Sequence, residues 1–336
     1  MAAKLVVVGF GSVGRSLVRI ILERGYLDCL KIVSVIDSKG AAVSREGFSE
    51  NAIRLLIERP RGAVSSIDRW GYPGLDLRGV LDLVEADIIA ELTPSNYKSG
   101  EPGIKHLELA LSRGINVVTA NKAPIALRGL DLIEEFANRG LKILYRATVM
   151  GGTPLIPTLM SIKYSVREVK GILNATTNFI LTSMLEERIS FKEALDKAIK
   201  EGVAEADPSL DVDGWDVAAK LTVIVVTLGR KLKLSSVERV SLRTVSLEEV
   251  LNEAEKGRVI KYLAELNLSE GIVARVKPAP VDRSSALARV RGFRNGVIIR
   301  TPENEIYLEG LGGGGRATAE AVLEDILALM ELRVRG

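Results

Sequence analysis

A glycine-rich turn separates an apolar run from an amphipathic run near the start of the chain. Residues 4–9, KLVVVG, have the pattern of a buried strand, and the later run SLVRIILERG has the pattern of a helix that Gly25 can end. A second apolar run, KIVSVID, ends at Asp37. The order of strand, glycine turn, helix, strand and acidic residue predicts a βαβ unit at the start of an α/β fold.

The glycine turn has the GxGxxG spacing of a dinucleotide site. Its glycines permit a tight turn and the close approach of a pyrophosphate, and the N-terminus of the next helix supplies N–H donors. The alternative is a tight turn that binds no ligand. The residues predicted here to contact a cofactor are Gly9, Phe10, Gly11, Ser12, Val13, Gly14, Asp37, Ser38 and Lys39.

Asp37 and the residues after it bear on which dinucleotide would bind. A carboxylate at the end of the second strand can accept a hydrogen bond from a ribose 2′-hydroxyl, which favours NAD. Ser38, Lys39 and Arg45 lie just beyond it and could receive a 2′-phosphate. NAD and NADP therefore both stay open.

Strand and helix patterns continue to alternate up to residue 149, which predicts a Rossmann-type doubly wound parallel sheet. Ligands of such sheets sit at the carboxyl ends of the strands, where we expect Thr93, Pro94 and Lys122. The only histidine, His106, falls inside a predicted helix and is expected to be structural. Residues 39–80 fit no element of this pattern, and we expect them to form an insertion on the adenosine side.

The pattern changes after residue 150, where helices and short β-like runs predict a second, α+β domain. We predict a dinucleotide-binding domain of residues 1–150 plus 305–336 and a catalytic and substrate-binding domain of residues 151–304. A glycine-rich turn ending at Gly315 precedes an amphipathic helix that we expect to pack back on the first domain. Gly315 would then start a helix that faces the cofactor, and the alternative is a flexible connector.

An acidic stretch precedes one lysine in the second half, in the sequence GVAEADPSLDVDGWDVAAK. Asp213 is predicted to cap a helix on which Asp216 and Lys220, four residues apart, share one face. Carboxylates around a cation can bind the ammonium and the oxygen of an amino-acid-like substrate together. The alternative is a capped surface helix with an ion pair. A calcium loop is excluded because Lys220 falls where a bidentate glutamate is required.

The composition of the 336-residue chain narrows its class and surroundings. Its net charge of +3 comes from dispersed basic residues, which argues against a nucleic-acid partner. A single cysteine, no signal peptide and no apolar run of membrane-spanning length indicate a cytoplasmic protein. Glutamine is absent and glutamate, lysine and arginine supply most of the surface, which is typical of a thermophile.

Six motifs in order resemble those of the homoserine dehydrogenase family, over nearly the whole chain. They are GFGSVG, AELTPSN, VTANKAP, NATTNFIL, EADPSLDVDGWDVAAK and GLGGGGRATAEAVLED. The resemblance implies hydride transfer that interconverts L-homoserine and L-aspartate 4-semialdehyde with NAD(P), in threonine, methionine and isoleucine biosynthesis. It also implies a homodimer formed through the sheet of the second domain. The length is similar to that of the short form, without a fused aspartate kinase or an ACT domain.

The same resemblance implies roles for individual residues. Lys220 matches the catalytic acid/base, and Lys122 matches a second lysine near the substrate oxygen. Thr93 and the glycine turn match cofactor contacts. Substrate-binding roles fall to Glu205 and Asp211 at the amino end and to Thr176. Beside them, the chemistry of the predicted site casts Asp216 as the residue that orients Lys220.

One position departs from the family pattern. A glutamate that helps to hold sodium or a similar monovalent cation is replaced here by Arg146, and a guanidinium has no lone pair for a metal. The backbone carbonyls of Val149 and Gly151 are then the ligands that stay available, so the presence of a cation is left open.

Two other functions compete with this one. The first is another amino-acid dehydrogenase, of the aspartate or diaminopimelate type, and the acidic stretch argues against it. The second is a catalytically idle NAD-binding sensor or scaffold, which would have no use for Lys122 and Lys220 close together.

Overall fold

The computed structural model describes residues 2–205 and 207–335. Met1, Ala206 and Gly336, which the predicted domain ranges include, lie outside the described residues. The chain divides into two compact units: Met1–Gly151 with Gly314–Gly336, and Gly152–Gly313. They are called the first and the second unit below.

Strands and helices alternate through most of the first 151 residues. In chain order they are β1 Ala3–Val8, α1 Ser12–Glu23, β2 Leu30–Asp37, β3 Gly40–Val43, α2 Glu50–Glu58, β4 Gly71–Pro73, α3 Leu77–Leu83, β5 Ile88–Glu91, α4 Gly103–Ser112, β6 Asn116–Thr119, α5 Lys122–Ala137 and β7 Ile143–Leu144. A short 3-10 helix, Arg146–Thr148, follows.

The second unit begins with helices and ends with strands, and one long helix follows it. Its elements are α6 Leu155–Ile162, β8 Glu168–Ile172, α7 Ala175–Glu187, α8 Phe191–Lys200, α9 Ser209–Val212, α10 Trp215–Thr227, β9 Glu238–Arg239, α11 Leu247–Glu255, β10 Arg258–Asn267, β11 Val273–Asp282, β12 Arg294–Arg300 and β13 Glu305–Leu311. The long helix, α12, spans Gly315–Arg335 and belongs to the first unit.

The sheet of the first unit has the order β4-β3-β2-β1-β5-β6-β7. Strands β2, β1, β5, β6 and β7 are parallel, whereas β3 and β4 are antiparallel to their neighbours. The order reverses at β1, which lies between β2 and β5, and ligands of such sheets bind at this reversal. The predicted fold class, a Rossmann-type doubly wound sheet with a second α+β unit, is confirmed.

Residues 39–80 contribute to this sheet, although no element was recognised in them from the sequence, and the insertion itself stays a prediction. They supply β3 and β4, which extend the parallel sheet beyond β2 by two antiparallel strands. A Cβ on Gly40, whose φ is +145°, would overlap the carbonyl oxygen of Tyr72, so glycine is needed at this turn. Strands of three and four residues are too short for their alternation to stand out in a sequence.

Helix α12 is part of the core of the first unit. Its Val322 and Ile326 are completely buried in one cluster with Leu17 and Ile21 of α1. The predicted boundary at residue 305 was wrong, because residues 305–311 form β13 and pair with β12 in the second sheet. The chain returns to the first unit only at Gly314. The dinucleotide-binding and catalytic roles of the two units stay predictions.

The second unit is built on a sheet of order β13-β12-β8-β10-β11-β9, in which β9 pairs in parallel with β11 and the other neighbouring strands pair antiparallel. One face of the sheet buries Leu263 and Ile298 together with Val290. Helix α10 is buried at every position from Val217 to Thr227. Among the described residues, no helix is both long enough and apolar enough to cross a membrane.

Candidate active site

The glycine turn lies where β1 and β5 end, and a side chain at each of its glycines would meet different surroundings. Gly9 has φ +98°, and a Cβ there would lie only 2.6 Å from the backbone of Leu92. A Cβ on Gly14 would overlap the carbonyl oxygen of Gly9, so this glycine lets α1 pack on the strand end. A Cβ on Gly11 would meet nothing within 4 Å, so the N-terminus of α1 is open to a ligand such as a pyrophosphate.

Two helices begin side by side at this turn. A Cβ on Gly315, the first residue of α12, would overlap the hydroxyl of Ser12, the first residue of α1. Helix N-termini carry unpaired N–H groups and a partial positive charge, so their proximity favours an anion. Val13 is half-buried, whereas the side chain of Phe10 is buried in the core, so only its backbone is available to a cofactor.

Asp37 ends β2, as predicted, and its carboxylate is already oriented by the backbone. Its Oδ1 accepts from the N–H of Lys39 at 2.9 Å, and its Oδ2 accepts from the N–H of Val64 at 3.0 Å. Each oxygen keeps a second lone pair, so the predicted hydrogen bond to a ribose is still possible. Ser38 and Lys39 are exposed beside it.

The ends of β5 and β6 carry the other predicted cofactor residues. Thr93 is half-buried and Pro94 is exposed, while Lys122 is the first residue of α5. The N–H of Lys122 donates to Ser95 Oγ at 3.1 Å, which connects the two strand ends. Thr93 in turn donates a hydrogen bond to Glu91, the last residue of β5, whose carboxylate is completely buried. Sequence reasoning missed it, although a charged residue directly after an apolar strand was a signal.

His106 lies in α4, as predicted, but closer to this edge of the sheet than we expected. Its Nδ1 is 3.4 Å from Glu91 Oε1. The prediction placed it away from the strand ends because only its position within the helix was considered.

Lys220 and Asp216 form the ion pair that their four-residue spacing predicted. The Lys220 Nζ lies 2.7 Å from Asp216 Oδ2 and donates to the carbonyl oxygen of Leu173 at 2.6 Å. Only 8% of Lys220 is exposed, so its ammonium is held in a nearly buried position.

Asn174 joins the two carboxylates of this cluster, and sequence reasoning missed it. Its Nδ2 donates to Asp211 Oδ1 at 2.8 Å and to Asp216 Oδ2 at 3.0 Å, while its Oδ1 caps α7 by accepting from Thr177 N at 2.9 Å. Burial raises the pKa of the Asp211 carboxyl, the charge of Asp216 raises it further, and Asn174 and Lys220 partly oppose the shift. The NATTN sequence at a strand end was the available signal.

The remaining predicted substrate residues differ in how closely they join this cluster. Thr176 is buried, donates its hydroxyl proton to the carbonyl oxygen of Val203 at 3.2 Å, and helps to lower the pKa of Asp211. Glu205 is exposed and makes no hydrogen bond or ion pair with any described residue. The structure therefore brings Thr176, Asp211, Asp216 and Lys220 together and does not connect Glu205 to them.

The prediction that Asp213 caps α10 was wrong. Gly214 occupies the N-cap position with φ +80°, and no side chain caps the helix. A Cβ on Gly214 would overlap the hydroxyl of Tyr262, so this turn requires glycine. Asp213 instead contacts the segment after β9, where its Oδ1 accepts from Ser241 Oγ at 2.7 Å and from Arg243 Nε at 3.3 Å.

Arg146 is engaged by a carboxylate of the first unit. Its backbone N–H and its Nε donate to Asp325, at 2.9 and 2.5 Å. Burial raises the pKa of Asp325 to about 6, although Arg146 opposes the shift. No group of three or more metal-ligating His, Cys, Asp or Glu side chains occurs among the described residues. A cation on the carbonyls of Val149 and Gly151 stays a prediction.

Known proteins resemble this chain over nearly its whole length. A family model described as homoserine dehydrogenase matches residues 154–327. The homoserine dehydrogenase of Methanocaldococcus jannaschii is 30% identical, over 96% of this chain and 97% of its own. The NAD(+)-dependent homoserine dehydrogenase of Pseudomonas canavaninivorans is 33% identical, over 99% of this chain and 97% of its own.

A solved structure agrees with these relatives. A hyperthermophilic archaeal homoserine dehydrogenase mutant in complex with NADPH has a TM-score of 0.84 at 28% identity, and the match covers 97% of each chain. The chain therefore belongs to the homoserine dehydrogenase family.

Proposed function

We propose that this chain is an NAD(P)-dependent oxidoreductase that interconverts L-aspartate 4-semialdehyde and L-homoserine, in the biosynthesis of threonine, methionine and isoleucine. Family membership supports this reaction, and the observation that carries its mechanism is the nearly buried ammonium of Lys220. It lies against Asp216 in a cluster that also contains Asp211, Asn174 and Thr176. When bound, the nicotinamide supplies the hydride for the aldehyde carbon and takes it back in the reverse direction.

Lys220 is the proton donor in the reductive direction. Negative charge develops on the aldehyde oxygen as the carbon is reduced, and an ammonium beside it stabilises this charge and then donates a proton. In the oxidative direction the neutral amine accepts the hydroxyl proton. Asp216 orients Lys220 through the ion pair of 2.7 Å. Lys122 is proposed as a second catalytic lysine, near the substrate oxygen.

The carboxylates of the cluster receive the amino group of the substrate. Burial and the charge of Asp216 raise the pKa of Asp211. A cationic amino group placed beside Asp211 would therefore favour its charged form. Glu205, on an exposed segment, is proposed as a second partner of this amino group, and Thr176 as a further substrate contact.

The first unit holds the cofactor. The open N-terminus of α1 at Gly11, next to Gly315 of α12, fits a pyrophosphate, and Asp37 is oriented to accept from a ribose hydroxyl. The other proposed contacts are Gly9, Phe10, Ser12, Val13, Gly14, Ser38, Lys39, Thr93, Pro94 and Lys122. One relative is named as NAD(+)-dependent and a solved relative holds NADPH, so both cofactors need to be tested.

The test is a homoserine oxidation assay with NAD and NADP in parallel. We expect a homoserine-dependent rise in the absorbance of the reduced cofactor with at least one of the two. Serine and aspartate at the same concentration serve as control substrates. A folded protein that reduces neither cofactor, or that prefers a control substrate, would contradict the proposal.

We also propose a cytoplasmic homodimer formed through the sheet of the second unit. Several large apolar side chains of this unit are exposed, and a partner chain would cover them. They are Val273, Phe293, Tyr307 and Leu311.

A further inference from the structure

Glu91 is a buried carboxylate without a lysine or arginine partner among the described residues. It ends β5 and has no exposed surface. A buried carboxylate is costly unless several donors satisfy it. The residues around Glu91 are therefore expected to be organised by what they donate to it.

Thr93, His106 and Thr119 surround this carboxylate. Glu91 Oε1 accepts from the N–H of Thr93 at 3.2 Å and from the Thr93 hydroxyl in a shorter hydrogen bond. The Thr119 hydroxyl lies 3.2 Å from Oε2, and His106 Nδ1 lies 3.4 Å from Oε1. The Thr93 hydroxyl donates to this carboxylate, and Thr119 and His106 lie within hydrogen-bonding distance of it.

The hydrogen bonds continue beyond Thr93, toward the first N–H groups of α5. Thr93 donates its one hydroxyl proton to Glu91, and its oxygen accepts from Asn121 Nδ2 at 3.2 Å. The Oδ1 of Asn121 then faces the other way, where it accepts from Ser95 Oγ at 2.9 Å and from Ala123 N at 3.1 Å. Ser95 donates its proton to Asn121, and its oxygen accepts from the backbone N–H of Lys122 at 3.1 Å.

These bonds run in one direction, from the first N–H groups of α5 to Glu91. We propose that Glu91 is a positioning residue of the active site: as the final acceptor it orients Thr93, Asn121 and Ser95, and thereby fixes the backbone of Lys122. The functional part of this inference rests on the proposed roles of Thr93 and Lys122. Glu91 itself is buried and is not proposed to touch substrate or cofactor.

The first test compares Glu91→Gln with Glu91→Leu. A glutamine can keep its oxygen toward Thr93 and donate its amide to Thr119, whose hydroxyl proton can then go to the Glu91 backbone carbonyl, 2.9 Å away. Leucine removes the acceptor but fills the space. We expect E91Q to keep kcat within about 3-fold of wild type, and E91L to lower it about 30-fold, with homoserine KM changed less than about 3-fold.

The matched control is Glu85→Gln, which neutralises an exposed carboxylate of the same unit that pairs with Lys4. It should behave as wild type. If E91Q is as damaging as E91L, the charge of Glu91 matters rather than its role as an acceptor, and the proposal is overturned. Wild-type kcat in a folded E91L would overturn it as well.

A double-mutant cycle tests whether Glu91 acts through the proposed bonds. Ser95→Ala breaks the series at its far end without touching the buried carboxylate, and we expect it to lower kcat about 5-fold. In the E91L background the same change should have almost no further effect. Two effects that simply multiply would show that Glu91 and Ser95 act independently.

Amide hydrogen exchange provides a readout that does not depend on activity. We expect the N–H groups of Lys122 and Ala123 to exchange at least about tenfold faster in S95A and E91L than in wild type, and unchanged in E91Q and E85Q. If E91L does not fold, S95A carries this test. An inactive wild type would contradict the proposed function alone, whereas unchanged exchange in S95A would overturn the present inference.

Discussion

At the scale of single residues, Lys220 is the group whose surroundings most nearly define a reaction. It is 8% exposed, and its ammonium contacts Asp216 and the carbonyl oxygen of Leu173. The spacing of Asp216 and Lys220 was readable because both lie on one helix. Asn174, which binds Asp211 and Asp216, was not, because it lies 37 and 42 residues away from them in sequence.

Lys220→Ala should lower kcat by several orders of magnitude while NAD(P) affinity stays within about 3-fold of wild type. The reason is that the variant loses the proton donor but leaves the first unit unchanged. Single-turnover rates and cofactor fluorescence titrations measure the two effects. Lys256→Ala is the control, since this lysine of the second unit is 60% exposed. Near-wild-type turnover of K220A would remove Lys220 from the mechanism.

Asp213 shows where residue patterns mislead. Its spacing before α10 matched a helix cap, but the cap position belongs to Gly214 in a left-handed conformation. The nearby hydroxyl of Tyr262 leaves no room for a side chain there, and Tyr262 lies on a distant strand that local sequence cannot foresee.

At the scale of elements, the turn between β1 and α1 needs one glycine for packing and another for ligand access. Gly14→Ala should destabilise the fold, because the methyl group would overlap the carbonyl oxygen of Gly9. Gly11→Ala should fold normally, because its methyl group meets no atom within 4 Å, and yet weaken NAD(P) binding by about tenfold or more. Thermal unfolding and cofactor titration measure the two effects. A G11A protein with unchanged cofactor affinity would place the pyrophosphate elsewhere.

We expect the stability of the folded protein to depend on pH through Asp325 of α12. Its pKa is about 6 in the folded protein, above the ordinary value of about 3.9. Between these values the folded state holds a proton that the unfolded state has lost, so this group makes folding less favourable as pH rises through that window. Above about pH 6 the carboxylate is charged and needs Arg146.

Arg146→Met should therefore destabilise the protein by about 2 kcal/mol at pH 8 and by much less at pH 5. The value is below that for fully buried pairs because the Arg146 side chain is 31% exposed. Urea unfolding at the two pH values measures it. Arg113→Met, which breaks an exposed pair with Asp82, is the control and should change little at either pH. Equal losses at both pH values in R146M would contradict this account.

Most helices could be predicted from the periodicity of apolar residues, whereas the boundary between the two units depended on which strands pair with each other. Helices α1, α4, α10 and α12 occur where the sequence patterns predicted them. Strand β13 was assigned to the wrong unit because its partner, β12, is found only through hydrogen bonding. The two antiparallel strands β3 and β4 were missed because four and three residues are too few for their alternation to stand out.

At the scale of the whole molecule, the exposed apolar side chains of the second unit bear on assembly. We expect sedimentation equilibrium to give twice the chain mass of 36.4 kDa. Leu311→Glu, at a side chain that is 52% exposed, should shift the protein toward one chain. Leu332→Glu, at an exposed leucine of the first unit, is the control. A wild-type protein with the mass of one chain would contradict the proposed homodimer.

Helix α12 has a consequence for synthesis on the ribosome. The core of the first unit contains Leu17 of α1 and Val322 of α12, which are separated by almost the whole chain. Residues 152–313 emerge completely before α12 does, so the second unit can fold while the first still lacks one wall of its core. The nascent first unit must therefore leave an apolar surface exposed until α12 is made, and this is the interval in which chaperones would be of most use to it.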